Sequence, residues 1–155
     1  MSEAVFAALL GFVVAFIADP IKNIWIYLRK KKRLKDAIYK EIITIYDALN
    51  FQIEEIDSPK LHEILGSRFP VYSLLESEIL VFHDMRESAL IEKIYKSLFR
   101  CIDMSKSQEN FDNQKMIGFL KQQIELSLKS KEFDRRRVKR LSRVFFYGKH
   151  LYKTR

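Results

Sequence analysis

Fifteen consecutive residues, Ala4 to Ala18 (AVFAALLGFVVAFIA), carry no charge. A run this apolar has to leave water, either inside a domain core or in lipid. As a helix it rises only about 22 Å, short of a hydrocarbon core of roughly 30 Å. Asp19, Pro20, Lys22 and Asn23 then interrupt it, and Ile24-Trp25-Ile26-Tyr27-Leu28 resumes it. A helix continued to Leu28 reaches about 37 Å and spans with some tilt. Trp25 and Tyr27 stand where an interfacial aromatic belt belongs.

Arg29-Lys30-Lys31-Lys32-Arg33-Leu34-Lys35 follows, six cations in seven residues, against Met-Ser-Glu ahead of the apolar run. This asymmetry places the C-terminal side in the cytoplasm and the N-terminus outside. A cleaved signal peptide would need a positive n-region and a small-residue cleavage site, which the segment lacks. A buried core helix is the competing reading, and the adjacent polybasic run argues against it.

Asp19 and Lys22 are three residues apart, so a helix puts them on one face within pairing reach. Pro20 removes a backbone donor and is expected to kink the helix. Two readings stand. Asp19, Lys22 and Asn23 sit at headgroup level with Lys22 snorkelling, or Asp19, Pro20 and Lys22 line a membrane gate inside an oligomer. Gly11 and the small residues Ala7, Ala8 and Ala15 permit close helix contacts, and one span alone forms no pore.

Beyond the apolar segment roughly 120 residues remain, enough for one compact domain. Scarce Gly (4) and Pro (3) disfavour a turn-rich β architecture, and no segment shows strand-like alternation. The expected fold is all-α: a single N-terminal transmembrane helix and a cytoplasmic bundle of about five helices. Residues 1–35 form the membrane and juxtamembrane segment, and residues 36–155 the cytoplasmic domain.

Ile38, Ile42, Ile45, Leu49, Ile53 and Ile56 follow the spacing of an amphipathic helix, with no Gly or Pro from Ile21 to Ser58. The membrane helix is therefore expected to continue to about Ile56 as a stalk. Ser58-Pro59 starts a short helix that Gly66 stops, and Pro70 opens another that includes Leu74, Leu75, Ile79, Leu80 and Phe82. Residues 86–104 form a helix on Leu90, Ile91, Ile94, Leu98 and Ile102. Ser105 to Gln114 is a polar linker. A further helix buries Met116, Ile117, Leu120, Ile124 and Leu128, and the last runs from about Asp134 to Tyr152. The single cysteine, Cys101, excludes an intrachain disulfide and reads as a small core residue in a reducing compartment.

Charge is unevenly spread. Residues 36–128 carry ten basic and sixteen acidic groups, whereas residues 129–155 carry eleven basic and two acidic groups. On the last helix Arg136, Arg140, Arg143, Tyr147 and His150 form one stripe, opposite a core side of Val138, Leu141, Phe145, Gly148 and Tyr152. Lys139, Phe146, Lys149 and Lys153 add a second stripe. Arginines clamp phosphate bidentately and aromatic rings stack on bases, so the pattern suits a nucleotide or short single-stranded nucleic acid. A solvated basic face and attraction to anionic lipid headgroups are the competing readings. The expected ligand contacts are Arg136, Arg140, Arg143, Tyr147, Lys149 and His150.

Nothing points to catalysis. His62-Glu63 and His83-Asp84 lack further ligands at metal-binding spacing, and there is no glycine-rich phosphate loop, nucleophile elbow or Cys/His pair. No cofactor and no metal site is expected.

The apolar AVFAALLGFVVAFIADP with its following RKKKRLK, and the basic, aromatic tail RRRVKRLSRVFFYGKHLYK, give an organisation that resembles a known family. The chain looks like the small membrane effectors of type III CRISPR systems that bind cyclic tetra-adenylate without a CARF domain. The likeness covers the whole chain in organisation and rests on no short motif. It implies an antiviral membrane protein of the bacterial inner membrane, a homo-oligomer in the form of a tetramer, and a cyclic oligoadenylate ligand, cyclic tetra-adenylate, whose binding disturbs or opens the membrane. The alternative is a membrane-tethered interaction module whose basic tail holds RNA, anionic lipid or an acidic partner.

Overall fold

The computed structural model describes residues 3–51, 65, 69–107 and 112–142. Among them lie six helices and no strand: α1 (Glu3–Phe51), α2 (Pro70–Leu74), α3 (Ile79–His83), α4 (Ser88–Ser107), α5 (Asn113–Lys129) and α6 (Arg135–Ser142). The all-helical expectation holds. The helix ahead of Gly66 and the far part of the last helix fall outside the described residues.

α1 runs 49 residues without interruption, about 73 Å at 1.5 Å per residue. It continues through Pro20, which cannot supply the donor that the Phe16 carbonyl would receive in a regular turn. Its two halves have opposite surroundings. From Val5 to Leu28 the large apolar side chains are exposed, and the most apolar window has no buried residue. By length and composition this helix is able to cross a membrane. From Ile38 to Asn50 it is the central post of the bundle, contacted by α2, α3, α5 and α6.

The expected stripe of Ile38, Ile42, Ile45 and Leu49 is buried, but so are Tyr39, Ile43 and Tyr46 on other sides. An aliphatic 3–4 repeat detects one face only. Tyrosine, with its polar tip, does not register as core in such a pattern, although its ring buries as much area as a leucine. The stalk is thus part of the core and not a lever beside it.

The segment opened by Pro70 is two short helices, α2 and α3, joined by the turn 75–78. Leu75, Val81 and Phe82 face the core, while Ile79 and Leu80 face outward. Phe69, Tyr72, Tyr95 and Phe99 form an aromatic cluster holding α2 on α4, with Tyr72–Tyr95 and Phe69–Phe99 centroids 4.5 and 4.9 Å apart. α4 extends to Ser107, and Ser105, expected in a polar linker, is buried. Asp112 caps α5, its Oδ1 accepting from the Lys115 N–H at 2.9 Å. Ile117, Leu120, Ile124 and Leu128 of α5 are buried as expected. Cys101 is a buried core residue whose thiol is pushed up by desolvation.

Candidate functional site

α6 is short and strongly basic, and it is held in place by its neighbours. Phe133 lies against the Tyr39 ring at 5.0 Å between centroids, and Val138 is fully buried. Asp134 caps the helix, its Oδ1 accepting from the Arg137 N–H at 3.1 Å. The Asp134 N–H in turn donates to Tyr39 Oη at 3.1 Å, and Tyr39 Oη donates to Glu87 Oε1 at 2.7 Å. Lys35 Nζ lies 2.5 Å from the same Glu87 oxygen. One connected set of polar groups therefore joins α1, the start of α4 and the start of α6 around Glu87, which is 1% exposed.

The expected stripe is present where it is described. Arg136 and Arg140 lie four apart on α6, both exposed, opposite Val138. Arg143, Tyr147, Lys149 and His150 lie outside the described residues. Arg140 Nη2 lies 3.1 Å from Asp36 Oδ1 of α1, and Arg137 Nε lies 3.2 Å from the same oxygen. Sequence reasoning missed Arg137. Its partner is 101 positions away, so no local spacing announces it. Arg135 also takes a structural task, its guanidinium donating to the Lys129 carbonyl at the end of α5 at 2.9 Å. Arg136 and Lys139 are exposed cations.

Three of the six cations in the polybasic run of α1 are engaged by acids of the bundle, forming a collar. Lys30 Nζ donates to Glu78 Oε1 at 3.4 Å, Lys31 pairs with Asp84, and Lys35 pairs with Glu87. Tyr27 Oη also donates to Asp84 Oδ2, at 2.8 Å. The hydrogen bonds from Lys31 and Tyr27 hold the Asp84 carboxyl below its usual value. Arg29 stacks over the Trp25 ring at 5.1 Å, and Lys32 and Arg33 are exposed. The sequence signal for this collar is the acidic surplus of residues 36–128, which fixes the sign of the partners but not their identity.

The His83-Asp84 doublet belongs to this collar: Asp84 serves Lys31 and Tyr27, and His83 is exposed beside Phe82. No three His, Cys, Asp or Glu residues gather as a possible metal group among the described residues. Asp19, Pro20 and Lys22 all lie on the exposed half of α1, and no ion pair joins Asp19 to Lys22 among the described residues.

Inside the bundle Glu41 accepts from Tyr95 Oη at 2.5 Å and from the Val71 N–H at 2.7 Å. Burial pushes its carboxyl up, and hydrogen bonding from Tyr95 and from the Val71 and Tyr72 backbone offsets this only in part. On the outer face of α4 a shallow depression of about 300 Å³ is lined by Lys93, Lys96 and Arg100 with Glu92, Ala89 and Ser97. Lys96 is paired with Glu92 at 2.7 Å. This second basic patch escaped notice because it sits in a region that is acidic on balance.

Comparison with protein-family models, with curated proteins and with solved structures finds no match to this chain.

Proposed function

We propose that the protein is a ligand-gated membrane effector, with α1 anchored in the bacterial inner membrane and the bundle on the cytoplasmic face. Its ligand is a cyclic oligoadenylate, cyclic tetra-adenylate above all, bound by the basic face that begins on α6. The observation that carries this reading is the clamp of Arg137 and Arg140 on Asp36. Both guanidiniums meet one carboxylate oxygen of the helix that, in this reading, enters the membrane. A phosphate oxygen accepts from guanidiniums as a carboxylate oxygen does, and competes for these donors. A ligand that binds only when Asp36 is released favours whatever arrangement of α1 goes with that release, by the amount of its differential affinity. Asp19, Pro20 and Lys22 are the gate in this reading, and a homotetramer arranges four such helices around a shared anion.

The test is the full chain in liposomes loaded with a self-quenching dye. Cyclic tetra-adenylate is expected to release the dye and linear tetra-adenylate is not. Absence of binding at micromolar ligand in low salt removes the reading. A second reading, favoured by the exposed Arg136 and Lys139, is a tethered module holding RNA, anionic lipid or an acidic partner. It predicts that an unrelated span in place of residues 1–28 preserves function. The gated effector predicts that the same exchange abolishes dye release while ligand binding survives.

A further inference from the structure

Outside the apolar half of α1, only four large hydrophobic residues are exposed among the described residues: Ile79, Leu80, Phe119 and Leu126. Two of them are adjacent on α3, with Leu80 81% and Ile79 49% exposed. The opposite face of that helix, Val81 and Phe82, is in the core, so the pair is presented on a fixed element. Its place along α1 is set from both ends. Glu78, just ahead of α3, is bound to Lys30, and Asp84, just after it, is bound to Tyr27 and Lys31. The exposed pair therefore stands beside residues 27–31 of α1, where the apolar stretch ends at Leu28.

From this placement we infer that Ile79 and Leu80 insert into the headgroup–acyl boundary of the same bilayer that α1 crosses, giving the bundle a second membrane contact. The inference rests on the anchored reading of α1. Its chemistry is that of interfacial segments generally, apolar side chains shallowly buried with cations at headgroup level. The collar supplies both parts. Lys30 and Lys31 neutralise Glu78 and Asp84, the acids nearest the insertion, so anionic headgroups are not repelled there. Arg29, Lys32 and Arg33 remain for the headgroups, together with Arg86. The other titratable groups nearby are Glu76 and His83, both exposed.

Single-tryptophan variants of the full chain, reconstituted in phosphatidylglycerol-containing liposomes, test this directly. In a Trp25→Phe background, Leu80→Trp is expected to lose most of its emission to lipids brominated near the headgroup and to be shielded from acrylamide. Phe119→Trp in the same background is expected to behave in the opposite way. Trp25 in the unaltered chain reports the anchor. If Trp25 responds to brominated lipid and Leu80→Trp responds only to acrylamide, the second contact is overturned while the anchor stands. If neither responds to brominated lipid, the anchored reading falls and this inference with it.

Discussion

Glu41 is a buried acid set between Tyr95 and the backbone of α2. Glu41→Ala leaves the Tyr95 hydroxyl and the Val71 N–H without their acceptor, at a cost of about 1–3 kcal/mol for a buried group left unmade. Thermal unfolding of the detergent-solubilised chain measures it. The pH dependence has a definite sign. Burial raises the Glu41 carboxyl above its unfolded value. Its contribution is therefore full below the usual carboxylate range and is lost as pH rises through the raised value. Asp84 is shifted the other way, so its contribution is present above the usual range and is lost as pH falls. Glu41→Gln is thus expected to remove a fall in Tm toward neutral pH, and Asp84→Asn a fall in Tm toward acid. At Asp36 the exposed pair with Arg140 stabilises the fold by less than about 1 kcal/mol, and an asparagine there keeps an oxygen that can accept from the part-buried Arg137. Asp36→Asn should accordingly shift Tm little and strengthen cyclic tetra-adenylate binding, read by fluorescence anisotropy, because it removes the intramolecular competitor. Little of this was legible beforehand. Arg136 and Arg140 could be placed on one face from their spacing, but no periodicity in a single sequence links Asp36 to Arg137, or Glu41 to Tyr95.

Helices were more legible than residues, and the limits have physical causes. The apolar repeats of α4 and α5 located both elements and most of their buried positions, since a regular aliphatic stripe has one stable place to go. The spacing predicts a continuous α1 with one apolar stripe to about Ile56; the stripe is buried as far as Leu49, Ile53 and Ile56 lie outside the described residues, and Tyr39 and Tyr46 add burial that their polar hydroxyls hide from the pattern. The Pro70 segment broke into α2 and α3, and its apolar residues divided between core and surface. Continuity of α1 through the collar makes a prediction at this scale. Lys32→Gly with Arg33→Gly softens the helix at two exposed positions, each costing about 1 kcal/mol relative to alanine. Ligand binding should survive and dye release should weaken, whereas Lys32→Ala with Arg33→Ala, which removes the same charges, should retain release. Lys35→Met acts on the element junction instead. It leaves Glu87 without its cation in a buried site, and loss of one partner of such a pair costs about 3–5 kcal/mol, measurable as a fall in Tm.

For the molecule as a whole, the division at residue 35 is one of environment and not of structure. The same helix crosses it, with exposed apolar residues on one side and the packed centre of the bundle on the other. Hydropathy and charge made the two environments legible; they were silent on how tightly one is joined to the other. The anchored reading predicts that the full chain sediments with membranes and resists extraction by alkaline carbonate. Recovery in the supernatant without detergent would end it.

Because the post at the centre of the bundle is also the continuation of the apolar segment, synthesis imposes an order on assembly. In the anchored reading residues 4–28 are made ahead of α2 to α6, so insertion would fix one end of the post before those helices exist. The later helices would then wrap around a rod whose tilt the lipid has already set. A chain that failed to insert would have to hide the same apolar half during folding, and its natural refuge is the apolar half of another copy.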